Sequence, residues 1–142
     1  MKRLSTVLAG TALAFCAAGA AHATTLSATL NGTSETRGGD PNGSGRFTAE
    51  ADEATGDLCY VLAVKNISPV TAAHIHQGAA GQDGPPVVTI EVTGPDADLC
   101  MAVEPDTLKP ILADPSGYYV NVHTADFPAG AVRGQLAGPA AE

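Results

Sequence analysis

Tryptophan is absent from this 142-residue chain, and phenylalanine and tyrosine contribute only three residues each. Aromatic platforms on which bases or sugars stack are therefore scarce. Basic residues are few as well, with seven Lys and Arg against fifteen Asp and Glu. A surface that acidic repels nucleic acid and anionic membranes and attracts cations. Sustained helical periodicity, heptads and low-complexity tails are all missing, so coiled coils and fibrous classes drop out. No Gly-x-Ser-x-Gly elbow marks a hydrolase nucleophile. The Gly78 to Gly84 loop lacks the Lys-Ser/Thr of a phosphate cradle and joins apparent strands instead of opening a helix.

Lys2 and Arg3 precede an apolar run from Leu4 to Ala21 that ends in Ala21-His22-Ala23, the pattern of a secretory signal peptide cleaved after Ala23. A membrane anchor is the competing reading, but Ser5, Thr6, Gly10, Thr11 and Gly19 dilute the run, which is short for a span. Bulky Phe15 before Cys16 argues against a lipoprotein signal. Residues 1–23 are thus expected to be a leader and residues 24–142 a single domain, periplasmic or secreted, with no membrane span once the leader is removed. Five basic residues then face all fifteen acidic ones, a net charge of about −10. Of the three cysteines, Cys59 and Cys100 remain, an even pair in a chain bound for an oxidising compartment. A disulfide between them would stabilise the fold by up to roughly 4 kcal/mol through loop closure.

Alternating apolar runs separated by Gly, Pro, Asn and Asp clusters recur through the mature segment. Leu26, Ala28 and Leu30 form one such run, and Phe47, Ala49 and Ala51 another. The stretch from Leu58 to Ile67 is apolar on both faces, as in a central strand. Residues 70–76, 87–92, 118–124 and 131–136 supply four more. Pro105 to Leu112, interrupted by Pro110, predicts a helical turn or two crossing between sheets. The expected fold is all-β, a Greek-key, immunoglobulin-like β-sandwich of about seven strands. A faint internal echo runs through it: IHQG…GPPVV and VHTA…PAGAV each read strand, histidine, Gly-rich loop, strand.

In TAAHIHQGAAG, His74 and His76 stand two apart and so share one face of a strand, about 6.6 to 6.8 Å apart at the backbone. His123, in YYVNVHTAD, ends another strand on the face of Tyr119 and Asn121. If these two strands are neighbours, three imidazoles meet at one end of the sandwich. Such a set suits zinc or copper, and geometry alone does not choose between them. Asn121, Asp83 and Asp126 are candidates to hold the rings or complete the ligand set. The competing readings are that strand histidines merely bond loop carbonyls, or that they form a pH-sensitive interface.

Other metal patterns fail. Asp40-Pro-Asn42-Gly-Ser44-Gly45 imitates a calcium loop, but Ala51 stands where a bidentate Glu is required, and a Gly-rich turn explains it better. Cys100 is followed by no nearby histidine, which removes a blue-copper site.

AAHIHQGAAGQDGPPV, GYYVNVHT and FPAGAVRGQL together resemble the CHRD domain, the module named for its repeats in chordin and found singly in secreted bacterial proteins. The likeness covers about Thr25 to Leu136 in the family's motif order. It departs at Ala131, where members often carry an acidic residue. The resemblance implies an immunoglobulin-like β fold outside the cytoplasm and no firm catalytic activity. A fainter similarity is to Cu/Zn superoxide dismutase, a Greek-key sandwich whose copper site starts with His-x-His, gains a later histidine and places an arginine nearby; Arg133 sits in a comparable late position in this sequence. A zinc loop and a fourth copper histidine are missing, and the acidic surface would repel superoxide. The expectation is a binding module for copper or zinc. An envelope or adhesive interaction domain with a protein partner is the alternative, and a copper oxidoreductase comes third.

Overall fold

Alternation decides which face each strand buries. In the computed structural model, which describes residues 23–139, Leu26, Ala28 and Leu30 of β1 (Thr24–Asn31) point inward. So do Phe47, Ala49 and Ala51 of β2 (Ser44–Asp52) and Leu58, Tyr60 and Leu62 of β3 (Asp57–Lys65). Ala73 and Ile75 do the same in β4 (Val70–Gln77), and Val88 and Ile90 in β5 (Pro86–Ile90). The remaining strands are β6 (Leu99–Ala102), β7 (Tyr118–Thr124) and β8 (Val132–Gln135). Apart from Ala23, the expected leader lies outside the described residues. No helix among them is long and apolar enough to cross a membrane.

The all-β expectation holds with one strand more than foreseen. All eight strands belong to one antiparallel sheet, in the order β5-β4-β7-β8-β1-β2-β3-β6. The connections from β3 to β4, from β5 to β6 and from β6 to β7 carry the chain between its halves, as in a Greek key. The sheet curls on itself. The backbone beyond β5 reaches β3, where Glu91 N donates to Tyr60 Oη at 2.9 Å and Thr93 N donates to the Leu62 carbonyl at 3.0 Å. Its two halves thereby face each other across a single core, the arrangement of a sandwich or half-barrel.

Core side chains such as Phe47, Leu62, Ile75 and Val120 are almost wholly excluded from water, each worth about 1.5–3 kcal/mol of burial. The β3 strand departs from its expected character: one face is buried while Val61 and Ala63 are half-exposed. The expected turn or two is a nine-residue helix, α1 (Pro105–Ala113). Pro105 opens it, where a missing N–H costs nothing, and Asp106 favours the positive end of the helix dipole. Leu108 and Ile111 of α1 are buried in the core. Cys59 and Cys100 stand directly opposite in the β3–β6 pair and form a disulfide.

Candidate metal centre

The β4–β7 pairing is what brings the histidines together. Its register sets Ala72 opposite His123, His74 opposite Asn121 and His76 opposite Tyr119. Ile75 and Val122 alternate into the core, so all three imidazoles stand on the outer face. His74 and His123 are diagonal neighbours, with Nδ1 and Nε2 3.2 Å apart. One nitrogen from each of the three rings lies within 4.8 Å of the other two. The expected convergence is therefore present, on the outer face of the sheet.

An ion about 2.0 to 2.1 Å from three nitrogens needs them roughly 3.3 to 3.6 Å apart. The His74–His123 pair, at 3.2 Å, is within a tenth of an ångström or so of that spacing, and small side-chain rotations bring all three rings to it.

Two rings are turned by their own loops. His76 Nδ1 lies 2.8 Å from the Gly84 carbonyl, and His123 Nδ1 lies 3.0 Å from that of Pro128. A carbonyl only accepts, so both Nδ1 atoms carry the hydrogen and both Nε2 atoms present lone pairs. His123 Nε2 then accepts from His74 Nδ1–H in the metal-free protein. His76 Nε2 is buried with no protein partner. Burial holds His74 below the ordinary histidine value, with His123 and His76 adding to the effect. Burial lowers His123 as well; its bond to Pro128 opposes this and His76 reinforces it. Both rings favour the neutral, ligating form.

The model of the CHRD domain matches residues 26–136. The chain belongs to the CHRD domain family. Comparison with the curated proteins and with the solved structures returned no match. Within this CHRD domain the three stretches that carry the family likeness build one surface. AAHIHQGAAGQDGPPV is β4 with its loop into β5, GYYVNVHT is β7, and FPAGAVRGQL leads into β8. The faint repeat is the pair of hairpins β4–β5 and β7–β8, each with a histidine bonded to a carbonyl of its own loop.

Arg133 has the most extensive supporting role in the CHRD domain. Its side chain is 2% exposed, and its guanidinium carbon lies 3.4 Å from the centre of the Tyr119 ring. It donates through Nη2 to the carbonyls of Ala79 (3.0 Å) and Gln82 (2.7 Å), and through Nη1 to Asp83 Oδ1 (3.4 Å). Gln135 Nε2 donates to the Gly78 carbonyl, and Tyr119 Oη accepts from Gly84 N. These bonds fold the loop after β4 over the outer face and aim the Gly84 carbonyl at His76. Gly84 is required there, since a Cβ would lie 1.6 Å from the Gln77 carbonyl oxygen. Tyr119 also stacks on His76, centroids 4.9 Å apart and planes 10° off parallel.

The other foreseen residues have different partners. Asp126 does not join the histidines; it accepts from Ser68 Oγ, because the turn after β7 points it toward the β3–β4 connection. Asp83 accepts from Thr36 and pairs with Arg37 and Arg133, and the Thr36 bond is the main cause of its lowered pKa. Asn121, 3% exposed, holds no imidazole and donates through Nδ2 to Glu35 Oε1 at 3.1 Å. Sequence reasoning missed Glu35, and with it the Gly84 and Pro128 carbonyls. Burial raises the Glu35 pKa against the opposing pull of Asn121 and Arg133.

Proposed function

We propose that this CHRD domain is an extracytoplasmic binding module that holds one copper or zinc ion through His74, His76 and His123. The observation that carries the reading is a group of three imidazoles, each with one nitrogen within 4.8 Å of the other two, in which His76 also has a buried and unpaired Nε2. Buried polar atoms are seldom left without a partner, and an ion provides one. The loop carbonyls at Gly84 and Pro128 are the outer partners that metal-bound histidines commonly have. Imidazole nitrogens suit copper and zinc, whereas calcium and magnesium prefer oxygen ligands. The expected leader and the disulfide support an oxidising location. Arg133, Tyr119 and Gln135 act by fixing the loop that orients His76.

Titration of the purified protein with Cu(II) and Zn(II), repeated on His76→Ala, tests this. Submicromolar one-to-one binding that the variant loses, with nitrogen hyperfine structure in the Cu(II) spectrum, is the expected result. Weak binding that the variant leaves unchanged would point instead to an envelope or adhesive module whose histidines only tie loops together. A superoxide assay on the copper form is expected to be negative, given the acidic surface.

A further inference from the structure

Beside the histidines lies an open cleft of about 190 Å³ lined by Glu35, His76, Asn121 and His123, with Arg37 and Asp83 at solvent-exposed positions. We infer that this cleft is a ligand site for a small neutral hydrogen-bond donor, water or a hydroxyl compound, taken on the open side of the bound ion. The inference rests on the metal reading and names what the ion exchanges.

The chemistry of the cleft selects the ligand. Asn121 is nine-tenths buried and more, yet its Oδ1 has no protein partner. The amide orientation is fixed because Nδ2 donates to Glu35 Oε1, which leaves Oδ1 as an unpaired acceptor on a residue that lines the cleft. Glu35 adds a carboxyl group, a second acceptor when ionised. The one guanidinium lining the cleft, Arg37, is paired with Asp83 at 3.2 Å. An anion entering this space meets acceptors on two sides and a cation already neutralised. A molecule with O–H groups, polarised by an ion, donates to the same acceptors.

The local backbone is built around this pair. A Cβ at Gly130 would fall 2.3 Å from Glu35 Oε1 and 2.5 Å from Asn121 Nδ2, and its φ of 142° lies where side chains are strained. Glycine there leaves the room in which Glu35 reaches Asn121 across 86 residues of sequence.

The test uses the Cu(II)-loaded protein, with water-proton relaxation to detect an exchanging inner-sphere water and azide as the anionic probe, read by its charge-transfer absorption. The expected result is enhanced relaxation, weak azide binding, and azide affinity raised about tenfold by Glu35→Gln, which removes charge and keeps shape. Relaxation no greater than that of a Cu(II) complex without bound water, or azide affinity equal in both proteins, overturns the inference. The two readings fail differently: lost nitrogen hyperfine structure sinks the metal centre, whereas intact hyperfine structure without exchanging water sinks the cleft alone.

Discussion

His74 Nδ1 and His123 Nε2 face each other at 3.2 Å across the β4–β7 pair, close enough to share either one proton or one ion. The alternatives predict different consequences for His123→Ala. As a ligand, His123 lost to alanine should weaken Cu(II) or Zn(II) binding by more than about 100-fold, beyond the range typical of outer-sphere partners. As a hydrogen-bond partner only, it should cost about 1 kcal/mol of apoprotein stability and leave metal affinity unchanged. Calorimetric titration and chemical denaturation of the same variant separate the two.

Arg133→Leu removes the fork that ties the loop of residues 78–84 to the sheet. The ion pair with Asp83 contributes little of the cost, because Asp83 is 43% exposed. Lost packing on Tyr119 and unanswered carbonyls at Ala79 and Gln82 should cost about 2–4 kcal/mol. Metal affinity should also fall about tenfold through the loosened Gly84 carbonyl. Arg133→Lys should rescue little, since an ammonium neither forks nor stacks in the same way. Faster amide exchange confined to residues 78–84 is the signature; a variant with wild-type loop protection would contradict it.

Strand identity was legible because alternation writes the buried face directly into Leu26-x-Ala28-x-Leu30 and its counterparts. The sharing of a face by His74 and His76 followed from the same rule, but their meeting with His123 required β4 to pair with β7, a fact no local pattern contains. The doubled strand-histidine-loop echo was its only trace. The short edge strand β6 was not legible, since three of its four residues are exposed and leave no apolar alternation. A curled single sheet and two stacked sheets give identical alternation, so closure could not be read either. Arg133 was marked only by its late position, through the dismutase likeness, and only the loop folding over it makes it a buried charge. Asp126 was drawn in by sequence proximity to His123, which says nothing about where a turn aims its side chain.

The apoprotein should lose stability as it is acidified through the histidine range. His74 and His123 have folded-state pKa values below the ordinary 6.5, so between those values and 6.5 the unfolded chain binds more protons. Their contribution is complete above pH 6.5 and is lost as pH falls through the folded values. Glu35 has the opposite sign: its raised pKa makes stability decline as pH rises past the ordinary 4.5. Thermal melts from pH 8 downward should therefore show a decrease below about pH 6.5 that His74→Gln/His123→Gln reduces. Metal affinity should drop in the same window, as protons compete for the ring nitrogens. A melting profile flat across it, with and without the histidines, would refute the assignment.

Cys59 and Cys100 link the edge strand β6 to β3, and β6 has no other neighbour in the sheet. Closing a loop over a sequence separation of 41 residues restricts the unfolded chain and stabilises the fold by at most about 4 kcal/mol. Cys59→Ser/Cys100→Ser should cost about 2–4 kcal/mol, with β6 the first element to lose amide protection. The histidines lie on β4 and β7, several strands away in the sheet order, and none of their hydrogen bonds involves β3 or β6. Copper affinity of the folded double variant should consequently stay within about twofold of wild type, since distant sites act independently. Loss of copper binding together with the disulfide would mean that the metal centre depends on the whole curl of the sheet and not on the β4–β7 pair alone.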